Sequence, residues 1–381
     1  METIVHADIV LPDQIIQDGA VQIEDEKIVY AGPRETLPFP VGCITDGKGL
    51  FAAPGFIDVH CHDGGHYTCE DAPQQVARYH LRHGTTSMLI TFSYCLSVEQ
   101  ILQGIDRIKE LCAKGEAPNL CGIHLEGPFL NFRFGYPSSQ RPKLDAELAQ
   151  KLLERGEGLI KLMTIAPELP DIRPVMELAR QYGVHLSVGH SDANEKQIAA
   201  AKEYGLHWAA HHYCASGDYT EKSGVRRVGV DEIVDLDDDI YAEIIPDAAG
   251  VHVKPLRIRL CLKCKGIDKV MIITDSCSFD GVAPDDNRSE DLDVNIVGGQ
   301  INGSRLTMAK ACYNMERHTG CSVEEIFRMA ASNPARALGI YGQTGSLEAG
   351  KDADLILCDR NYNIHAVYIK GKRLFEQSLP L

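Results

Sequence analysis

The strongest constraint on the fold is a repeated pattern in the middle of the chain, between residues 51 and 339. There, short apolar runs alternate with stretches that have the periodicity of amphipathic helices. Such strands are typical of a parallel sheet buried on both faces, and eight of them can close into a barrel. The sequence therefore predicts an α/β fold, a (β/α)8 TIM-like barrel. The predicted strands are residues 55–59, 86–91, 120–124, 159–165, 185–189, 208–211, 241–245 and 270–274. Helices are predicted at residues 97–114, 145–155, 173–182, 194–204 and 254–265.

The two ends of the chain have a different pattern. Their apolar and polar residues alternate, and tight turns separate the alternating segments, which predicts β-strands. We therefore expect residues 1–51 and 340–381 to form one small β-sandwich domain, and residues 52–339 to form the barrel. The terminal strands are predicted at residues 3–10, 19–23, 28–31, 345–348, 353–357 and 365–370.

Charge and composition narrow the class of partner. The net charge is −16, from 54 acidic and 38 basic residues, which argues against a nucleic-acid surface and gives no support for binding an anionic membrane. No apolar run approaches membrane-spanning length, and no charged leader precedes an apolar stretch at the N-terminus. The 13 cysteines have no disulfide-framework spacing, so we expect reduced thiols. The sequence predicts a soluble cytoplasmic protein that acts on a small molecule.

Histidines and acidic residues follow the predicted strands at the points where these end. In a barrel, the carboxyl ends of the strands meet at one rim, where the active sites of such folds lie. Imidazole and carboxylate groups are ligands for divalent metals such as zinc or iron. The sequence therefore predicts a site for one or two divalent ions. Its residues are His60, His62, Glu126, His190, His211 and Asp275.

Taken singly, each of these residues has a simpler explanation. A lone histidine at a strand end is more often a satisfied polar residue than a metal ligand, and the chain has 15 histidines. His124, His185, His207 and His212 are expected to be of that satisfied kind. The hypothesis of a metal site rests on the joint placement of the six residues at one rim.

Several segments resemble the amidohydrolase superfamily, and in particular its N-acetylglucosamine-6-phosphate deacetylase branch. The first is Pro-Gly-Phe-Ile-Asp-Val-His-Cys-His at residues 54–62, and the second is His-Leu-Glu-Gly-Pro-Phe-Leu at residues 124–130. The resemblance runs in the same order along nearly the whole chain. Its other segments are residues 164–168, 188–193, 273–275, 303–308, 332–339 and 350–355.

The resemblance implies roles for the rim residues. Glu126, His190 and His211 would bind the principal metal. His60 and His62 would form a second site with a bridging Glu126, a site that only some members of the family retain. The family's usual state also implies a homodimer.

The resemblance further implies the hydrolysis of an amide, most simply the N-acetyl group of N-acetylglucosamine 6-phosphate or a related amino sugar, by a metal-bound hydroxide. Asp275 would be the acid and base that moves the proton. His252, from a partly retained sugar-binding segment, would orient the substrate.

The sequence departs from the family where the substrate is held. Tyr136 stands where the family has a Gly-Ala-His segment, and Cys214 and Ala215 stand where an asparagine and alanine help to hold phosphate. A family arginine that grips phosphate is matched only loosely near Lys222. Lysine is a point charge without the planar fork of arginine. These residues are the predicted substrate contacts, and the phosphate group is the least certain part of the substrate.

Two alternatives stay open at this stage. One is an amidohydrolase that acts on a different, non-phosphorylated cyclic amide, amine or dipeptide. The other is a barrel that has lost catalysis and serves as a binding protein, although such proteins usually lack the ligand histidines or the acid.

Overall fold

The computed structural model describes residues 1–37, 39, 42–135, 143–217, 224, 227–278, 293–297 and 300–377. Eight strands from the middle of the chain form one parallel sheet, and eight from the two ends form another. A separate hairpin of β14 and β15 makes a third, two-stranded sheet. The strands are β1 (Glu2–Val10), β2 (Ile15–Glu24), β3 (Lys27–Pro33), β4 (Cys43–Asp46), β5 (Phe51–Pro54), β6 (Phe56–Cys61), β7 (Thr85–Ser93), β8 (Leu120–Glu126), β9 (Ile160–Ile165), β10 (His185–Val188), β11 (Leu206–Ala209), β12 (Tyr241–Ile244), β13 (Val270–Ile272), β14 (Val294–Val297), β15 (Gln300–Ser304), β16 (Leu355–Cys358), β17 (Ile364–Ile369) and β18 (Lys372–Glu376).

The middle sheet forms a barrel whose strands follow in sequence order from β6 to β13. Its two edge strands meet, because the Asp275 amide donates to the His60 carbonyl at 2.9 Å and the His62 amide donates to the Ser276 carbonyl at 3.0 Å. The strands are almost entirely buried, as expected for a sheet with side chains inside and helices outside. The predicted (β/α)8 barrel is confirmed, and each of its eight strands overlaps the predicted run.

Helices cover the outside of the barrel. Helix α2 illustrates why they form, since Ser97 and Gln100 make the predicted capping box at its start and Gly115 ends it in a left-handed conformation. Its residues Ile101, Ile105 and Ile108 lie on one buried face. No helix in the described ranges combines the length and the apolar character that a membrane crossing requires. The helices are α1 (Pro73–Arg82), α2 (Val98–Lys114), α3 (Ala146–Gly156), α4 (Ile172–Gln181), α5 (Glu195–Lys202), α6 (Val230–Leu236), α7 (Pro255–Lys265), α8 (Met308–Thr319), α9 (Val323–Phe327) and α10 (Asn333–Ala337).

The second large sheet joins the two ends of the chain. β1 pairs with β2, β4 and β5, and β5 pairs in turn with the C-terminal β16, so that N- and C-terminal strands share one ladder. This confirms the separate β layer built from both termini. The residue limits of the two domains stay a prediction.

One predicted terminal strand is wrong. Residues 345–348 form no strand, and a side chain instead of a neighbouring strand satisfies the Gly345 carbonyl. The Ser332 hydroxyl donates to the Gly345 carbonyl at 2.7 Å, and the Ser346 hydroxyl donates to the Glu348 carboxylate. A side-chain partner thus takes the place of a neighbouring strand.

Candidate metal and catalytic site

The structure brings the six predicted rim residues together around one carboxylate, that of Glu126 at the end of β8. Glu126 Oε1 lies 3.0 Å from His190 Nε2 and 2.9 Å from His211 Nε2. The two imidazoles also face each other, with 3.0 Å between their Nε2 atoms. Glu126, His190 and His211 are all buried. They form the first half of the site.

His60, His62 and Asp275 form the second half. His62 Nε2 lies 3.4 Å from Glu126 Oε2 and 3.2 Å from Asp275 Oδ1. His60 Nε2 lies 3.6 Å from Glu126 Oε1 and 3.8 Å from Asp275 Oδ1. Glu126 therefore faces both halves with its two oxygens, the arrangement that a bridging ligand requires.

The outer nitrogens of three histidines are fixed by acceptors. His62 Nδ1 donates to the Thr91 carbonyl at 3.0 Å, and His190 Nδ1 donates to the Phe134 carbonyl at 2.7 Å. His60 Nδ1 lies 2.9 Å from the Glu243 carboxylate, which can only accept. Because the proton of each ring is on Nδ1, the lone pair of each Nε2 points to the rim carboxylates. This tautomer is the one that metal-ligating histidines adopt.

Such an arrangement requires positive charge at its centre. Lone pairs that face carboxylate oxygens repel one another unless a proton or a cation lies between them. Burial lowers the pKa of His60, but hydrogen bonds to Glu126 and Glu243 outweigh it and raise this pKa well above its ordinary value. Burial raises the pKa of Glu126, yet His190, His211 and His60 together hold it well below its ordinary value. The site attracts cations, and its nitrogen and oxygen donors fit a divalent metal.

Two groups of these residues have ligand atoms close enough together to hold an ion. The first comprises His60, Glu126 and His211, and the second comprises His60, His62 and Asp275. In the first the atoms come from three different strands or strand ends. Folding alone therefore assembles the ligand set.

Three of the rim residues have a left-handed backbone. The φ angles are 47° at His190, 31° at His211 and 47° at Asp275. This conformation is costly for residues other than glycine and is concentrated at functional sites. Here it turns each side chain from the strand direction towards the rim.

A cavity of about 800 Å³ opens above the rim. His252, Cys214 and Ala215, three of the predicted substrate contacts, line it. The other two, Tyr136 and Lys222, lie outside the described residues.

The charge of the cavity wall is negative as far as the structure describes it. Asp63 and Glu70 line it, as do the rim carboxylates of Glu126 and Asp275. Among the described lining residues there is no lysine or arginine. Arg227 forms an ion pair with Asp192.

His252 is held in place from behind. Its Nδ1 lies 3.2 Å from Asp247 Oδ2, and its backbone amide donates to the same oxygen at 2.9 Å. Its Nε2 is buried and has no partner among the described residues. Because the side chain lines the cavity, Nε2 is the atom that could accept a hydrogen bond from a substrate hydroxyl.

The other histidines named from the sequence lie apart from the ligand set. His124 is buried beneath the rim, with Nδ1 3.2 Å from the Thr91 hydroxyl and Nε2 2.7 Å from the Thr164 hydroxyl. His212 pairs with Asp235 at 3.1 Å. His185 and His207 contact each other edge to face near the start of their strands, at the opposite end of the barrel.

Sequence analysis missed two buried acids that support the rim. Glu243 contacts His60 and lies in β12, and Asp58 accepts from the Thr274 hydroxyl at 2.6 Å and lies in β6. Both interrupt apolar strand runs. An ionisable residue inside such a run is the signal that could have found them, because a buried carboxylate requires a partner.

Comparisons with known proteins agree with this geometry. Residues 51–374 match the model of the amidohydrolase family. N-acetylglucosamine-6-phosphate deacetylase from Bacillus subtilis is 30% identical over 96% of this chain and 95% of that protein. N-acetylgalactosamine-6-phosphate deacetylase from Escherichia coli O157:H7 is 28% identical over 88% of this chain and 90% of that protein. The crystal structure of N-acetylglucosamine-6-phosphate deacetylase from Pasteurella multocida has a TM-score of 0.83 and 26% identity, covering 98% of this chain and 99% of that chain. The predicted resemblance is confirmed.

Proposed function

We propose, since this chain belongs to the amidohydrolase family, that it removes the N-acetyl group from an amino sugar by amide hydrolysis. The relatives of known name are deacetylases of N-acetylglucosamine 6-phosphate and of N-acetylgalactosamine 6-phosphate. The observation that carries the proposal is the convergence of four Nε2 atoms on the two oxygens of Glu126.

The metal would be held by the rim residues, zinc or iron being the ions that suit these donors. Glu126, His190 and His211 would hold the principal ion. A bound divalent ion supplies a Lewis acid and lowers the pKa of a coordinated water towards ~7. His60 and His62 would hold a second ion.

Asp275 is proposed to move the proton. Its carboxylate lies at the boundary between the rim and the cavity, 3.2 Å from His62 Nε2. It would accept a proton from the attacking water and return it to the amine that leaves. Burial raises the pKa of Asp275, but the hydrogen bond to His62 and the charges of His60 and His62 leave it below its ordinary value. The carboxylate is thus ready to accept.

The cavity wall would position the sugar. His252 Nε2 is the proposed contact to a substrate oxygen, and Cys214 and Ala215 are proposed to lie beside the substrate. Tyr136 and Lys222 stay proposed contacts.

A second candidate is hydrolysis of a different, non-phosphorylated substrate, a cyclic amide, an amine or a dipeptide. It is favoured by the described cavity wall, where Asp63 and Glu70 are present and no lysine or arginine lies among the described lining residues. A phosphate dianion would meet repulsion from these carboxylates unless a cation compensates it.

Two readouts separate the candidates, acetate release for the N-acetyl sugars and the appearance of new amine for the cyclic amides and dipeptides. The purified, metal-replete protein is incubated with N-acetylglucosamine, N-acetylglucosamine 6-phosphate and N-acetylgalactosamine 6-phosphate, and with a panel of cyclic amides and dipeptides. The first proposal expects hydrolysis of an N-acetyl amino sugar. Turnover confined to the cyclic amides or dipeptides favours the second candidate, and a protein that binds no metal and hydrolyses no amide contradicts both.

We further propose that the protein is a cytoplasmic homodimer that acts on a free small molecule. All thirteen cysteines are unpaired, which is typical of proteins from a reducing compartment. The homodimer follows from the family resemblance alone. Light scattering coupled to size-exclusion chromatography measures the mass, and a monomeric mass would contradict the dimer.

A further inference from the structure

Glu243 is a fully buried acid on β12 that sits behind the metal site. Its Oε2 lies 2.9 Å from His60 Nδ1 and accepts from the His211 backbone amide at 3.2 Å. Its Oε1 is buried and has no hydrogen-bond partner among the described residues. One carboxylate thus contacts two of the rim histidines from outside.

This placement is costly unless positive charge lies near. A carboxylate taken out of water loses its hydration, and in proteins a partner charge or hydrogen bonds must compensate it. Within the described part of the chain, the ion pair of Glu243 is with His60 and not with a lysine or arginine. The compensating positive charge must therefore be a proton on the His60 ring or a cation bound to it.

The number of carboxylates at the site indicates how much positive charge is needed to balance them. Glu126, Asp275 and Glu243 are three carboxylates grouped around the rim histidines. One divalent ion balances two of them and leaves the third uncompensated. A second divalent ion at the His60 side balances the third and leaves one positive charge for an anionic ligand.

We propose that Glu243 is a positioning residue that holds His60 as an Nδ1-protonated ligand, with Nε2 directed to a second divalent ion. A carboxylate behind a ligating histidine fixes the ring and raises its basicity, and the loss of such a partner typically weakens metal binding by about 10-fold to 100-fold. The proposal rests on the metal-dependent function proposed above.

The backbone contact gives Glu243 a second role. Because Oε2 also accepts from the His211 amide, the same atom fixes a ligand in each half of the site. The two halves are therefore joined from behind by Glu243, as they are joined in front by Glu126.

The test is Glu243→Gln, which keeps the size and an acceptor oxygen but removes the charge. The full-length protein is stripped with a chelator and titrated with Zn²⁺, and bound zinc is counted by mass spectrometry after gel filtration. We expect two ions in the unaltered protein, and in the variant a second ion that binds about 10-fold to 100-fold more weakly.

The matched control is Asp46→Asn, which makes the same change beside His6, a histidine of the terminal sheet that lies outside the ligand set. It should leave the zinc count and affinity unchanged. A double-variant cycle with His60→Ala tests whether Glu243 acts through His60. In the absence of the His60 ring, Glu243→Gln should cause no further loss of affinity for the second ion. If Glu243→Gln does not fold, Glu243→Asp is used. It keeps the charge but withdraws the carboxylate by one methylene, so it should also weaken the second ion.

The outcomes are distinguishable. Unchanged affinity for the second ion in Glu243→Gln or Glu243→Asp overturns the inference. A single ion in the unaltered protein at excess zinc also overturns it, while the proposed hydrolysis can stand. An unaltered protein that binds no zinc or other divalent ion contradicts the proposed function itself.

Discussion

Two sets of buried histidines lie close together in this barrel and differ in what surrounds them. The rim histidines are His60, His62, His190 and His211, and each directs Nε2 to a carboxylate. His124, one layer below, and His80, behind β6, are equally buried, but their ring nitrogens hydrogen-bond neutral groups. His124 contacts two threonine hydroxyls, and His80 contacts the Asp63 carbonyl and the Cys61 thiol.

The protonation tendencies of the two sets are opposite. Burial lowers the pKa of His62, but Asp275 and Glu126 outweigh it and raise this pKa above its ordinary value. For His124 burial and the neighbouring His60 dominate, and its pKa falls well below the ordinary value. Burial lowers the pKa of His80 to about 4. Burial therefore does not mark a ligand histidine. The acid that its Nε2 faces does.

The first prediction tests the strongest consequence of the charged rim. Asp275→Asn keeps the shape of the side chain but cannot accept a proton. We expect kcat to fall by a factor on the order of 1000, since general acid–base catalysis contributes about that much. Metal content, measured by mass spectrometry, should stay close to that of the unaltered protein because the principal ligands remain. An active, metal-replete variant would remove Asp275 from the proton-transfer step.

The second prediction compares one histidine from each set. His190→Asn removes a metal ligand. The zinc affinity of this variant should fall by more than the roughly 10-fold to 100-fold that follows when a ligating histidine loses its hydrogen-bond partner. His124→Asn should bind zinc normally but unfold more easily, by about 1–3 kcal/mol, because two buried hydroxyls lose their partner. Zinc titration and urea unfolding of the metal-free proteins measure both quantities. Equal zinc loss in the two variants would break the comparison.

The third prediction concerns the cavity wall. His252→Asn should lower kcat/KM by about 10-fold to 100-fold, the equivalent of one hydrogen bond to the substrate, without changing metal content. His185→Asn, at the opposite end of the barrel, is the control and should leave kcat/KM unchanged. If both variants behave alike, His252 does not contact the substrate.

The same contrast explains what could be predicted from the sequence. Strand ends are fixed by apolar runs, so the rim residues His60, Glu126 and His211 could be placed from the pattern alone. The tertiary contact of Glu243 could not, because it depends on which strands face each other across the closed barrel. Nothing local to residues 241–245 reveals that the carboxylate meets His60, far away in sequence.

The cavity wall was harder to predict for a different reason. Its residues come from loops after the strands, whose course depends on tertiary packing and not on periodicity. His252 was found only through the family resemblance, and Asp63 and Glu70 were not found at all. The acidic residues of the described part of the wall are thus a result of the structure, and they bear on the choice between a phosphorylated and a neutral substrate.

The last prediction uses His80, whose ring hydrogen-bonds a backbone carbonyl and a thiol. In the unfolded chain this histidine has a pKa of about 6.5, whereas burial lowers it to about 4 in the folded protein. Below pH 6.5 His80 therefore binds a proton in the unfolded chain but not in the native state. The free energy of unfolding falls as the pH drops towards 4.

The size of this effect can be measured against a variant without the ring. Between pH 7 and pH 5.5 the His80 contribution should destabilise the protein by about 1 kcal/mol. His80→Gln should lose that part of the pH dependence, whatever its stability at pH 7. Urea unfolding of the metal-free proteins at the two pH values gives the difference, and the remaining histidines titrate alike in both proteins. An identical loss of stability in the variant would mean that His80 is charged in the native state, and the contrast between its surroundings and those of the rim would then not hold.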